Sequence, residues 1–242
     1  MPAAAPEGRS APRAPQSPGS AAGEGIGQNV NVDSTPRCQR ARLARARLFR
    51  VISTPRLILR PWRESDLAPF AALSADPAVM QFFPSLLTAK ESDAWVSRAV
   101  RHLADHGFGP WAVEAPGVAP FIGVVGLLVV GFAADFTPAV EVLWRLARPH
   151  WGQGFATEAA HAAIQDGFNR IGITEVVAFT ALPNVPSQRV MERLGMTRSG
   201  EFDHPRLPAG HVLRRHVLFR LPRTARAAGD SPGSQSALDP AP

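Results

Sequence analysis

The sequence predicts an α/β (α+β) domain, a mixed, mostly antiparallel sheet of about seven strands with flanking helices. Three observations carry this expectation. Residues 141–170, EVLWRLARPHWGQGFATEAAHAAIQDGFNR, read as a buried strand, a short turn and a helix. Residues 176–182 add a second buried run, so the unit is strand, helix, strand, which calls for a right-handed crossover and parallel pairing. Upstream, residues 111–113 and 121–130 are apolar runs joined by the Pro116-Gly117 turn, an antiparallel meander that continues into the strand at Val142.

In chain order, Leu57-Ile58-Leu59 is a first short strand closed by Pro61. Ser65 or Glu64 opens a helix through Leu73, which ends before Pro77. Thr88-Ala89-Lys90-Glu91 has the capping-box form, and Trp95, Val96, Ala99, Val100 and Leu103 make one apolar face up to Gly107. In the central unit Val142, Leu143, Trp144 and Leu146 form the strand, and Ala160, Ala163, Ile164, Gly167 and Phe168 recur at helical spacing. Residues 183–187 make a turn. Pro186 suits the first turn of a helix that runs to Leu194 and stops at Gly195. Strands at 196–201 and 212–219 complete the sheet, separated by a polar, Pro-rich loop around His204 to Gly210.

Composition divides the chain. Pro and Gly, 24 and 20 residues, crowd the ends, where too few apolar residues stand to offset the entropy of ordering. The expected organisation is a disordered Pro/Ala/Arg-rich extension at 1–53, a folded domain at 54–223 and a disordered tail at 224–242. The formal charge of +6 follows the same division, because residues 1–53 hold 8 Arg against 3 acidic side chains while 54–223 are nearly balanced. The arginines of residues 37–50 form a helix-prone basic segment, either a solvated extension or a contact for nucleic acid or an anionic surface. Elsewhere nothing points to nucleic acid. The single Cys38 excludes an intramolecular disulfide and a multi-cysteine metal site, and suits a reducing cytoplasmic setting. No apolar segment of secretory type follows Met1. Residues 115–134 carry no charge, but Pro116, Gly117 and Pro120 break them into something shorter than the roughly 20 residues a spanning helix needs.

Between the central strand and its helix lies Trp151-Gly152-Gln153-Gly154-Phe155-Ala156. Glycines at the mouth of a helix let an anion approach backbone N–H groups at the positive end of the helix dipole. Such turns also serve as plain tight connections, and this reading stands beside the first. No Gly-Lys-[Ser/Thr] follows to supply the lysine and magnesium ligand of a nucleotide phosphotransferase, and the seven histidines show no His-Glu-x-x-His spacing.

Four pieces in fixed order, TPRLILRPW at 54–62, EVLWRL at 141–146, HWGQGFATEA at 150–159 and NVPSQRVMERLGM at 184–196, resemble the GCN5-related N-acetyltransferases, and among them the ribosomal-protein alanine acetyltransferase branch. Tryptophan at position 151, where the wider superfamily has Arg or Gln, is similar to that branch. The resemblance implies the GNAT fold, with a central splayed parallel pair of strands, and acetyl-CoA as cosubstrate. It implies that the pyrophosphate lies on N–H groups of Gly152, Gln153, Gly154, Phe155, Ala156 and Thr157, with Trp151 beside them among the cofactor-binding residues. The pantetheine arm would add to the backbone of Trp144, Arg145 and Leu146, and Asn184 and Ser187 would meet the arm and thiol from the other side. Asn184 equally suits a turn-forming Asx residue and Ser187 a helix cap.

For the chemistry, an amine must shed a proton before attacking a thioester. Glu141 is similar to the acidic residue of the branch's A-E-I-G-Y pattern and is the candidate base, with a solvated strand-end glutamate as the alternative. Ser187 is the candidate proton donor or hydrogen-bond partner for the leaving thiolate, and a backbone N–H near Leu146 the oxyanion donor. His150, Glu114 and His204 are weaker candidates. The expected activity is acetyl-CoA-dependent transfer to a primary amine, a peptide N-terminal α-amine or a small amine, by direct attack on the thioester. In the family, residues 76–87 and 204–211 frame the acceptor entrance. A non-catalytic acyl-CoA-binding module and a basic-arm nucleic-acid binder are the alternatives, a monomer or homodimer is expected, and no membrane partner is. Family members usually begin just before the Thr-Pro-Arg-Leu strand, so a start at position 51, a valine and hence a residue that the initiation codon GTG can encode, is one expectation and a real basic arm the other.

Overall fold

The computed structural model describes residues 50–223. Expectations for 1–49 and 224–242, including Cys38, nearly all of the basic segment and the extension's part in any start at position 51, lie outside the described residues. The described chain runs β1 (Ile52–Ser53), β2 (Ile58–Arg60), a 3-10 turn (Glu64–Asp66), α1 (Leu67–Ala75), α2 (Pro77–Met80) and α3 (Ala89–His106). There follow β3 (Pro110–Ala115), β4 (Ala119–Val129), β5 (Val140–Leu146), a 3-10 turn (Arg148–His150) and α4 (Phe155–Asp166) with a π-helical last turn (Gly167–Ile171). Last come β6 (Glu175–Ala181), α5 (Val185–Arg193), β7 (Thr197–Asp203) and β8 (Arg215–Pro222).

The strands form one sheet of 8 in the order β1-β2-β3-β4-β5-β6-β8-β7. Every neighbouring pair is antiparallel except β5 with β6. The eighth strand, against about seven expected, is β1, which pairs Ile52 with Leu59 and so begins before the boundary placed at Thr54. Two residues carry no readable alternation; partner β2 makes them a strand.

Local signals explain the helices that frame the sheet. Thr88 and Glu91 close a reciprocal capping box on α3, and Gly107 ends it in the left-handed region at φ 71°. The aromatic faces of α1 and α3 meet around Trp62, whose ring centroid lies 5.2 Å from Phe70 and 6.0 Å from Trp95 and whose Nε1–H donates to the Pro110 carbonyl at 2.9 Å. One continuous apolar cluster runs from Leu57 through α1, α3, the central strands and α4 to Phe219. Beneath the start of α1, buried Arg60 forks onto Asp66 at 2.7 and 2.9 Å and donates to Glu114 at 2.7 Å. Glu114 is therefore an ion-pair partner that holds β2 to β3, and no candidate base.

Candidate active site

The site is built on the one parallel pair. β5 stays in register with β4 along its whole length, from Val140↔Val129 to Leu146↔Gly123, and β6 with β8 from Glu175↔Pro222 to Ala181↔His216. Between themselves β5 and β6 share only Glu141↔Val177, after which they diverge. Bonds at the ends of the β4–β5 ladder, Ala147 N–H to Ile122 O and Val130 N–H to Ala139 O, fix its phase. With alternation, Glu141, Leu143 and Arg145 turn their backbone groups to β4, while Trp144 and Leu146 turn theirs towards β6. The backbone groups of Trp144 and the Leu146 N–H thus open into the fork without a strand partner, the state that invites strand addition by a ligand amide. Arg145 departs from the expected arrangement, since its backbone belongs to the β4 ladder. What it presents to the cleft is its side chain.

At the open end of the fork sits the glycine turn. Gly152 and Gly154 have φ of 73° and 79°, a region that favours glycine, and a Cβ on Gly152 would meet nothing within 4 Å. Backbone conformation, not crowding by neighbouring protein atoms, demands the residue. From Gly152 to Thr157 no N–H donates a hydrogen bond among the described residues, whereas Trp151 N–H reaches Arg148 O and Glu158 N–H reaches Gly154 O. An unbroken run of free donors at the N-terminus of the 12-residue α4 is suited to a doubly charged oxyanion. The turn is held from two sides. The indole of Trp151, 43% exposed, donates to Leu146 O at 2.7 Å. Arg56 donates to Gln153 O at 3.0 Å, pairs with Glu158 and lies 4.7 Å over the Phe155 ring, while Thr54 donates to the same Glu158 at 2.6 Å.

Fork and turn line one cleft of about 820 Å³, to which Phe83, Trp95, Glu141, Arg145, Ser187 and Arg206 also contribute. The model of the Acetyltransferase (GNAT) domain matches residues 56–197, more than half of the chain. The protein belongs to the GCN5-related N-acetyltransferases. Among curated relatives, the uncharacterised protein YkkB of Bacillus subtilis is 32% identical over 59% of this chain and 83% of its own. The FsC-acetyl coenzyme A-N(2)-transacetylase of Aspergillus fumigatus is 29% identical over 62% of this chain and 66% of its own. A solved Bacillus anthracis GNAT acetyltransferase superposes with TM-score 0.60 at 22% identity, covering 72% of this chain and 98% of that one. The ribosomal-protein-S5-alanine acetyltransferase of Vibrio fischeri superposes with TM-score 0.59 at 18% identity, over 72% and 97%. The two structures share the fold.

Acetyl-CoA is the cosubstrate of GNAT enzymes, and the free donors of the glycine turn and the open edge of β5 fit its pyrophosphate and pantetheine amides. Glu141 stands at the vertex of the fork, where the parallel pairing ends. Burial in the cleft wall pushes its carboxyl up to about 8, against the partly offsetting field of Arg206, although the residue keeps some surface open to the cleft. Asn184 caps α5, its Oδ1 accepting from Ser187 N–H at 3.3 Å and its amide donating to Thr180 Oγ1 at 2.8 Å. That frees the Ser187 hydroxyl, which lines the cleft without a hydrogen bond among the described residues. His150 and His204 also line the cleft. Burial together with His216 and Arg206 drives His204 down to about 4, so its imidazole is neutral, with Nδ1 accepting from Arg206 N–H at 3.3 Å. Sequence reasoning passed over Arg56, Glu158 and Arg206. The first two stand inside the Thr-Pro-Arg and Ala-Thr-Glu pieces of the resemblance, whereas nothing in the loop around Arg206 marks it.

Proposed function

We propose that this enzyme moves an acetyl group from acetyl-CoA to a primary amine, a peptide N-terminal α-amine or a small amine, by direct attack on the thioester. The observation that supports this reading is Glu141, whose elevated carboxyl stands at the vertex of the fork in the cleft that holds the free N–H run. When bound, acetyl-CoA supplies an activated acyl carbon and a thiol leaving group. Glu141, as carboxylate, takes the proton that the attacking ammonium must lose, and a base poised near 8 is well matched to an amine. Trp144 N–H, directed into the fork, is the donor for negative charge on the acyl oxygen. The Ser187 hydroxyl, left free by the Asn184 cap, hydrogen-bonds the departing sulfur. Gly152 to Thr157 hold the pyrophosphate on backbone donors, and Arg56 fixes the turn that presents them. The relative named as an N(2)-transacetylase supports nitrogen as the nucleophile. The single cysteine suits work in the reducing cytoplasm, and no helix among the described residues is long and apolar enough to cross a membrane.

The test is thiol release from acetyl-CoA with a panel of peptides and small amines. Turnover that falls by about 10²-fold or more in Glu141→Gln while acetyl-CoA affinity holds supports the base assignment. Acetyl-CoA binding with no acceptor-dependent release across the panel refutes the reading as an N-acetyltransferase.

A further inference from the structure

Strand phase places the Arg145 side chain on the same face of the fork as Glu141, and among the described residues no acid pairs with it. Glu141, Leu143 and Arg145 alternate onto one face of β5, so base and guanidinium look out on the same side. The Arg145 guanidinium carbon lies 4.4 Å from the Phe83 ring centroid and 5.7 Å from those of both Phe70 and Trp95. Its Nη1 makes one long bond, 3.3 Å to Ser74 Oγ, and its sealed Nε has no partner. No carboxylate pairs with it among the described residues, in contrast to Arg60, which grips Asp66 and Glu114. Desolvation alone pushes its pKa down to about 10. Three aromatic rings hold the guanidinium in place without cancelling its charge. A desolvated, unpaired arginine lining a substrate cleft is a poor device for stability, because its burial is uncompensated until an anion arrives. Of the other arginines that line the cleft, Arg189 and Arg193 are exposed on α5, and Arg206 already faces Glu141 and donates to Gly131 O at 2.6 Å.

We propose that Arg145 is an acceptor-recognition residue, and that the amine acetylated here carries a carboxylate several bonds from its nucleophilic nitrogen, as in a short peptide or an ω-amino acid. This rests on the acetyltransferase reading given above. Four residues at about 3.3 Å each separate the Cα atoms of Glu141 and Arg145 by roughly 13 Å. Both residues line the one cleft, but an α-amino acid, with nitrogen and carboxylate on one carbon, is too short to touch the two. A dipeptide or 6-aminohexanoate spans more of that interval. The guanidinium's free Nη2 is the donor such a carboxylate would take, and a charge-assisted bond in a desolvated wall discriminates strongly against a neutral analogue.

The experiment compares matched acceptors, glycylglycine against its C-terminal amide and 6-aminohexanoate against hexylamine, with wild type, Arg145→Met and Arg145→Lys. The readout is the ratio of kcat/KM within each pair, which cancels general losses. Wild type is expected to favour the carboxylate partner by about 10- to 100-fold, Arg145→Met to bring the ratio near one, and Arg145→Lys to keep part of it. Preference in the peptide pair alone identifies a peptide acceptor, and in the alkyl pair alone an ω-amino acid. A wild-type ratio near one, or an unchanged ratio in Arg145→Met, overturns the proposal while leaving acetyl transfer standing. An acetyl-CoA-induced rise in melting temperature checks that each variant is folded, and if Arg145→Met is not, the wild-type and Lys ratios decide. If no acceptor turns over, the acetyltransferase reading fails separately. Calorimetric binding of glycylglycine then decides here, with loss of its advantage over the amide in Arg145→Lys or its absence in wild type as the respective outcomes for and against.

Discussion

Replacing Glu141 by Gln is expected to stabilise the protein at alkaline pH and to do little at acid pH. The carboxyl ionises near 4.5 in an unstructured chain and near 8 in the fold, because burial disfavours its charged form. Below 4.5 both states carry the proton, so the group has no effect on stability. Between 4.5 and 8 the unfolded chain releases it and the native state does not, so stability falls as pH rises, and above 8 the loss is complete. At about 1.36 kcal/mol per pH unit the full loss is at most roughly 5 kcal/mol. Since the residue keeps some surface open to the cleft, roughly half of that is a more realistic expectation. For a domain of this size about 2 kcal/mol moves the melting temperature by roughly 4–8 °C. Thermal unfolding of both proteins, without acetyl-CoA, at pH 5, 7 and 9 is the assay. The melting difference should be smallest at pH 5 and grow in favour of Glu141→Gln to pH 9. A difference that stays constant across that range would show that the carboxyl does not titrate there, and would remove the physical basis for Glu141 as a base poised near the working pH.

Further outcomes follow from the glycine turn and the cap. Gly154→Glu should abolish the rise in melting temperature that acetyl-CoA causes, with Gly154→Asn, a residue that tolerates positive φ, retaining most of it. An undiminished shift in a folded Glu variant would remove the turn from the cosubstrate site. Arg56→Met should raise the KM for acetyl-CoA several-fold with less change in kcat, because it loosens the Gln153 carbonyl and the Glu158 pairing without touching the fork; equal effects on both constants would argue against that division. Asn184→Ala removes the α5 cap and should cost about 1 kcal/mol in denaturant unfolding, with loss of the Thr180 bond as a further contribution.

The parts of the fold that local chemistry determines were legible in the sequence. Thr88 with Glu91, Gly107 at a helix end and the glycine turn before α4 each act within a few residues, and each stands where its residue types place it. The fork was implied by the family resemblance, but its detail depends on ladder phase, which no single strand contains. That is why Arg145 was grouped by its backbone with Trp144 and Leu146 and turned out to present only a side chain. The clasp of Arg56 on Glu158 joins residues 102 apart, and Arg206 meets Glu141 from a loop with no periodicity, so both needed the tertiary structure. The boundary of the last strand moved from 212–219 to Arg215–Pro222 because turns around His211 and Arg214 consume residues that looked extended.

The pinning of β5 at both ends makes the strand a ruler. One end is the Glu141 vertex; the other is anchored by the Trp151 indole on the Leu146 carbonyl, with the turn beyond it held by Arg56. Five residues of extended chain, about 17 Å, separate the Glu141 vertex from the anchored Leu146 end, beyond which lies the turn with its free donors. A donor gripped by its phosphates delivers its reactive carbon to the base only if its arm matches that interval. On the proposed reading, discrimination among thioesters would be set by length along a strand before any side chain inspects the acyl group, and a truncated thioester would forfeit either the phosphate grip or the base.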